Sequence, residues 1–572
     1  MSIVAIADGP RQVTAATLHD VAAKNNITIP SKEDEEGYLL LLESLDAVVK
    51  HVEALPDYID PSLTPVEVVG GTRKWWTEEK NARNAWSHRT HLRAANPTSF
   101  LLSGRTVAIK DNVSVAGVPY TAGTFVELLS KDNQYPLPEI DAPVVSRVLN
   151  AGGMIMGTGT CENYSLTPMS YTSANGPMHN PWLYEYNAGG SSSGNVFLLA
   201  LEAAREAGVP GLEDAGPHVE MAVGGDQAGS IRIPAAYSGV YGLKPTYGLV
   251  PYTGIASHHA IYDHAGPMAR NLKDVATLLE VLAGYDGLDP RMSPETPLRQ
   301  NVPKYSKLLE DFTSNPTTAL GKGLKIGLIT ESFNLAGGSK EVSNIVLTAA
   351  KSHFEAAGAT VSNVSIPLHV FGPHIWTAVA RPNLARLAVG GKAPDILSHP
   401  MPHFSPRWPP DQEMYSLLTK ANPAVINVLF NTTFIESKYP GKDTAAKAQR
   451  HVLQLRAAYD KALEEFDVLV TPTTPSVAPK MPKENASVLE KVMIAVGATN
   501  NTCPFNVTGH PGLSVPCGWS RGDGNEKNDQ QGGWLPVGMQ IVGRRWDDIG
   551  VLRAGAAFER GGGGLGRWPG SL

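Results

Sequence analysis

The chain has 572 residues, 42% hydrophobic and 18% charged, the balance of an ordinary water-soluble globular protein. Its 48 basic and 55 acidic side chains give a formal net charge of −7, which argues against non-specific nucleic-acid binding because that needs a basic footprint. Three cysteines, Cys161, Cys503 and Cys517, form no CxxC pair, so neither a disulfide framework nor a thiolate zinc site is expected.

Residues 1–12 show no basic region before an apolar run of signal length, and no apolar run reaches the roughly 18 residues of a membrane span. A cytoplasmic protein without a membrane partner is the expectation. Residues 1–95 read as a helical region, because LHDVAAKNNITIP and EDEEGYLLLLESLDAVVKHVEAL carry apolar residues at helical spacing. The run Leu39–Leu42 fits packing onto the main body, with a homodimer contact as the sharper alternative. Residues 65–99 read as a surface connection.

From residue 96 the texture is α/β. GRTVAIKDNVSVAG (104–117) is a strand, a break at Asp111–Asn112 and a further short strand. DAPVVSRVLNAGGMIMGTGT (141–160) is a helix with a glycine stop and then a strand. NVFLLALEAAREA (195–207) is amphipathic, and the Gly/Pro-rich 208–221 reads as a surface insertion. LKDVATLLEVLAG (272–284) is a helix, and LKIGLIT (324–330) with 341–358 forms a strand–helix unit. Residues 399–411 are proline-dense and read as a loop or lid. A helix at 451–466 leads into a buried strand, FDVLVTPTTP (466–475). GLSVPCGW and LPVGMQIVG read as a hairpin around a solvated turn at 520–533, and 556–572 as a flexible tail, leaving 96–555 as the main domain.

Three stretches carry chemistry. GGDQAGSIRIPAAYSGVYGLKPTYGLVP (224–251) sets Ser230 behind small residues whose backbone N–H groups can converge on an oxyanion, with Arg232 and Lys244 as its cations. VAIKDN (107–112) ends an apolar strand on Lys110, and NAGGSSSGN (187–195) holds serines in a glycine turn. GSSSG formally matches GxSxG, but no buried strand precedes it, so a nucleophile elbow is rejected; no GK[ST] follows, so a phosphate loop is rejected too. His258, His259, Asp263 and His264 match no zinc spacing, and a structural or pocket-lining role is favoured over a metal. Each segment alone reads as an ordinary turn or strand end; together they suggest a Ser–Ser–Lys hydrolase.

These segments resemble the amidase signature family. GGDQAGSIRIP is similar to the signature that bears the family's nucleophilic serine, at the position of Ser230. GGSSSG is similar to GGSSGG, whose first serine maps to Ser191, and VAIKDN carries the family's lysine at Lys110. The likeness extends through HNPW (179–182), GLKPT (242–246), DHAGPMAR (263–270), FDVLVTPTTP, FNVTGHPGLSVP (505–516) and LPVGMQIVG (535–543), over roughly residues 100–550. It is strongest to enantioselective bacterial amidases and their urethanase-like relatives. Three residues depart from the pattern: Ala228 and Ser193 stand where glycine is usual, and Asn195 follows.

The resemblance implies an amidase-signature fold, a large mixed sheet covered by helices on both faces, with an N-terminal helical extension. It implies hydrolysis of carboxylic amides to acid plus ammonia or amine, through an acyl-enzyme on Ser230 with a Ser191/Lys110 proton relay and a cis Gly190–Ser191 peptide. Lysine serves as a base only when burial depresses its pKa from about 10.4. Gln227, Ala228, Gly229 and Ser230 are the candidate oxyanion donors, with Asp226 and Arg232 orienting the loop. No metal or cofactor is implied, and the partner is a small-molecule amide or carbamate. A carbamate hydrolase with the same triad is the alternative; a tRNA-dependent amidotransferase component, a non-catalytic binder and a metal amidase fit less well. Segments 120–125, 164–172 and 373–415, with Phe125, Tyr171, Ile375 and Trp376, are the expected pocket walls.

Overall fold

The computed structural model describes residues 12–81, 83–392, 401, 403–522 and 533–571. Most of the solvated turn and parts of residues 1–12 and 399–411 lie outside the described residues. The chain divides into two compact units, the first ending at Ser62 and the second beginning at Leu63. In the first, helices Ala15–Lys24 and Lys32–Glu53 each begin on a hydroxyl cap, Thr14 and Ser31. Glu33, Asp34 and Glu35 in the first turn and Lys50 and His51 in the last complement the dipole of the second helix.

The second unit is built on one twelve-stranded sheet. In chain order its strands are β1 (Trp75–Trp76), β2 (Trp86–Leu92), β3 (Thr106–Lys110), β4 (Met154–Gly159), β5 (Met221–Asp226) and β6 (Tyr241–Lys244). They continue with β7 (His264–Ala269), β8 (Lys325–Ile329), β9 (Thr360–Val364), β10 (Val468–Pro472), β11 (Gly512–Arg521) and β12 (Trp534–Gly543). The spatial order is β1-β2-β4-β3-β5-β7-β6-β11-β12-β10-β8-β9. Parallel pairs β4–β3–β5 and β10–β8–β9 are joined through an antiparallel centre, so the sheet is mixed.

Strand alternation distributes side chains between two cores. Val107 and Ile109 of β3, with Met221 and Val223 of β5, join the layer that contains Val145, Leu279, Val346 and Leu552. Ala108 and Ala222 face the opposite layer, where Phe197, Leu198 and Leu201 of helix Ser193–Glu206 pack. Helices therefore cover both faces. By the same period of two, Lys110 shares the face of Ala108, beneath the start of helix Ser193–Glu206. Because β3 and β5 are parallel with Ile109 opposite Val223, their carboxyl ends adjoin, where open α/β sheets bind ligands.

Several boundaries shift. The helical region expected over 1–95 ends earlier: residues from Leu63 belong to the second unit, and 75–92 supply β1 and β2 rather than a surface connection. The short strand expected after Lys110 is only a bridge from Val113 to Ile255. Residues 208–221 are packed down, with Leu212, Ala215 and Val219 buried and the Leu212 and Gly216 carbonyls accepting from Arg205. The expected tail from 556 starts inside helix Asp548–Arg560, where Ala556, Ala557 and Phe558 are buried. No helix among the described residues is long and apolar enough to cross a membrane.

Candidate active site

Lys110 is fully buried at the end of β3, and its Nζ donates to Ser191 Oγ at 2.8 Å and, more weakly, to the Gly225 carbonyl at 3.5 Å. Burial pushes the Lys110 amine down to about 8, opposed by the charges of Asp226 and Glu162. Among the described residues no carboxylate pairs with it within 4.0 Å. An unpaired, desolvated amine gives up its proton far more readily than one in water. Ser191 lies in the cis peptide Gly190–Ser191, just ahead of helix Ser193–Glu206.

Two of the departures from the family pattern, Ser193 and Asn195, are accommodated by side-chain hydrogen bonds. Ser193 Oγ donates to Glu162 Oε1 at 2.7 Å, while Glu162 Oε2 accepts from the Thr172 amide at 2.9 Å and hydroxyl at 2.5 Å. Asn195 Nδ2 donates to the Val223 carbonyl of β5 at 2.9 Å, tying this helix to the strand that leads to Ser230. Gly194 does need to be glycine, because a Cβ there would strike the Thr160 amide and the Ala85 carbonyl. Glu162 escaped the sequence reading, having no motif of its own. Burial pushes its carboxyl up to about 7 against the hydrogen bonds from Thr172 and Ser193.

The turn after β5 carries Ser230 and runs into helix Arg232–Ser238. Asp226 and Arg232 anchor both ends. Arg232 Nε and Nη2 fork onto the two oxygens of Asp226 at 3.0 and 2.9 Å, and Nη1 donates to Gln540 Oε1 and the Thr502 carbonyl at 2.7 and 3.0 Å. Asn506 donates to the Asp226 carboxylate at 2.8 Å and accepts from Arg232 at 2.7 Å. Burial alone would raise the Asp226 pKa, but Arg232 and Asn506 outweigh it and hold the carboxyl below the usual range. The sequence-based orienting role for this pair matches its geometry.

Within the turn, three carbonyls are tied off. Gln227 O accepts from Trp376 Nε1 at 2.9 Å, Ala228 O from Thr502 Oγ1 at 2.5 Å, and Gly229 O from the Ile233 amide at 2.7 Å. A trans peptide is planar, with N–H opposed to C=O, so each tether turns the following N–H the other way. Those are the amides of Ala228, Gly229 and Ser230, and none has a protein acceptor among the described residues. Gly229 has φ +140, and a Cβ on it would meet Ile233 and Thr502 at 2.5 Å. Ser230 Oγ likewise has no protein hydrogen bond among the described residues, and the structure does not join it to Ser191.

Ser230 opens into a cavity of about 240 Å³ whose lining includes Gln227, Ala228 and Gly229. Of the expected walls, Tyr171 and Trp376 line it, as do residues 165–168. Phe125 and Ile375 do not; Phe125 packs near Leu128 and Leu384, and Ile375 in the cluster of Leu455 and Tyr459. Nor does 120–125 reach the cavity. Other walls come from 424–428, on helix Pro423–Lys438, and from 491–499, which start on helix Val488–Met493 and run past its end. His258 lines the cavity and bonds the Tyr164 carbonyl at 2.7 Å; Asp263 pairs with Arg291 at 2.8 Å, and His264 Nδ1 with the Tyr262 carbonyl at 2.9 Å. His259 lies face to face with the Tyr262 ring. Asp263 also accepts from the His258 and His259 amides, at 3.1 and 3.2 Å, so the carboxylate holds the loop in shape.

Residues 76–552 match the family model described as Amidase. The chain is 35% identical over 501 residues to an enantioselective amidase of Rhodococcus rhodochrous, covering 85% of each chain. It is 32% identical over 465 residues to a glutamyl-tRNA(Gln) amidotransferase subunit of Methanosarcina barkeri, covering 80% of this chain and 85% of the relative. Among solved structures it is similar in fold to the native peptide amidase of Stenotrophomonas maltophilia, with TM-score 0.56 and 24% identity over 80% of this chain and 82% of the other.

Proposed function

The chain belongs to the amidase signature family of C–N bond hydrolases, and we propose that it is a self-sufficient amidase working through Lys110, Ser191 and Ser230. The observation that carries this reading is the 2.8 Å contact between a wholly buried lysine and Ser191, with Ser230 opening on the cavity beside three unpartnered amides.

The chemistry follows from those positions. With its pKa at about 8, roughly a tenth of Lys110 is neutral at pH 7 and can accept a proton. Ser230 Oγ attacks the substrate carbonyl carbon, its proton passes to Ser191 Oγ, and the proton of Ser191 passes to Lys110. The Ser230–Ser191 hydrogen bond closes when substrate is seated, as catalytic hydrogen bonds commonly do. The amides of Ala228, Gly229 and Ser230 receive the oxyanion, a contribution of about 2.7–4 kcal/mol per donor. The relay then returns the proton to the leaving nitrogen, the C–N bond breaks, and an ester to Ser230 is left. Water then attacks that ester, its proton passes through Ser191 to Lys110 and back to Ser230 Oγ as the acyl–oxygen bond breaks, and the acid leaves with Ser230 and neutral Lys110 restored.

The test is product release from an aryl amide, an aliphatic amide, an aryl ester and an alkyl carbamate, with Ser230→Ala as blank and no added partner protein. Ammonia or amine from the amides supports the reading. Carbamate turnover alone replaces it with the carbamate hydrolase, and release by the Ser230→Ala protein removes Ser230 as nucleophile.

A further inference from the structure

Besides the catalytic turn, the cavity wall holds two cations, Arg381 and Lys491, and no aspartate or glutamate among its described lining residues. Arg381 stands near the end of helix Gly372–Leu384, whose Trp376 holds the Gln227 carbonyl, so the helix that fixes the catalytic turn also presents the guanidinium. Arg381 Nε is buried and, among the described residues, has no hydrogen-bond partner, and no described carboxylate lies within ion-pair distance of the guanidinium. Lys491 is mostly buried, and its Nζ donates to the neutral Lys420 carbonyl at 2.8 Å. Two cations thus meet at one cavity whose other described walls are apolar or uncharged, with Leu166, Ile233 and Val492 among them.

Among other enclosed arginines of the second unit, Arg232 meets Asp226, Arg291 meets Asp263 and Asp289, and Arg73 meets Asp141, while Arg83 donates to the Gly211 carbonyl. A partly buried guanidinium left unpaired loses much of its hydration without compensation, and a planar carboxylate supplies the matching two-oxygen acceptor. We infer that the substrate is an anionic amide, one that carries a carboxylate away from the scissile bond, which Arg381 binds with Lys491 contributing to the positive field. This deepens the amidase reading and rests on it. Arg381 is then a specificity-determining residue, taking no part in the proton relay.

The experiment compares hexanamide with the monoamide of adipic acid, which differs by a terminal carboxylate. Competitive kcat/KM is measured for the wild-type protein, Arg381→Gln and Arg381→Lys, and both compounds are titrated by calorimetry into the Ser230→Ala protein. The expected result is a preference of about tenfold or more for the carboxylated amide, in turnover and in affinity. That ratio should fall toward one in Arg381→Gln, survive in part in Arg381→Lys, and shrink with added salt. A wild-type ratio near one overturns the inference, and so does an unchanged ratio in Arg381→Gln, even if both rates drop together. Equal hydrolysis of the two amides leaves the amidase reading standing while this inference falls. Selective binding of the carboxylated amide to Ser230→Ala without wild-type turnover of either does the reverse.

Discussion

Two arginines live in opposite surroundings, Arg232 fully buried behind the catalytic turn and Arg381 partly buried in the cavity wall. Arg232 spends its donors on Asp226, Asn506, Gln540 and the Thr502 carbonyl, whereas Arg381 faces the cavity with Nε unpartnered. A closed network of fixed charges holds a backbone in one geometry; an open one is a receptor for something not part of the chain. The difference separates what shapes the catalytic turn from what selects the molecule brought to it.

The comparison breaks most severely at the reacting atom. Ser230→Ala should lower kcat/KM by about ten-thousand-fold or more with the denaturation midpoint nearly unchanged, because neither network is touched. Retention of measurable acylation would remove the residue from the mechanism. Arg232→Met should act on the fold itself, costing about 3–5 kcal/mol in urea unfolding, since it strands Asp226 without its partner in a fully buried site. A loss below about 1 kcal/mol would mean that the closed network does not carry the turn.

Smaller perturbations sharpen the contrast. Trp376→Phe keeps a ring but loses the donor to the Gln227 carbonyl, freeing the peptide plane that aims the Ala228 amide. It should lower kcat by about tenfold with little change in KM; a pure KM effect would assign Trp376 to substrate packing alone.

The pH profile reports on Lys110. Its neutral form is the active one, so kcat/KM should rise through about pH 8 and fall about tenfold per unit below it. Glu162→Gln removes a negative charge that raises the Lys110 pKa, so this acid limb should move to lower pH. A limb that moves upward would contradict the assignment. The mildest change is Arg381→Gln, expected to leave unfolding stability within about 0.5 kcal/mol, because no side-chain hydrogen bond among the described residues is lost.

How legible was the site? Lys110, Ser191 and Ser230 stood out because glycine turns and a strand-end lysine are local features; the structure joins Lys110 to Ser191 and sets β5, which leads to Ser230, beside β3. Asp226 and Arg232, six residues apart, were legible for the same reason. Glu162 and Thr502 were not. Each touches the site through hydrogen bonds to residues distant in sequence, Glu162 to Ser193 and Thr502 to Ala228 and Arg232, and the isolated residues have no periodicity or spacing to mark them. Phe125 and Ile375 were misplaced because aromatic and branched side chains are as fit for a helix–helix seam as for a cavity wall.

The sequence by itself determined the α/β class, the family, and the three short segments that carry the reactive side chains, since these depend on local pattern and on which residue types a tight turn tolerates. It also determined that Lys110 ends an apolar strand. Only the tertiary structure decided that Lys110 is wholly buried, that its amine meets Ser191, and that three amides of the turn are left without acceptors. Those outcomes depend on how twelve strands are ordered and on where the 372–384, 423–438 and 488–493 helices come to rest. Desolvation and peptide-plane orientation are properties of packing between distant segments, and no local pattern encodes them.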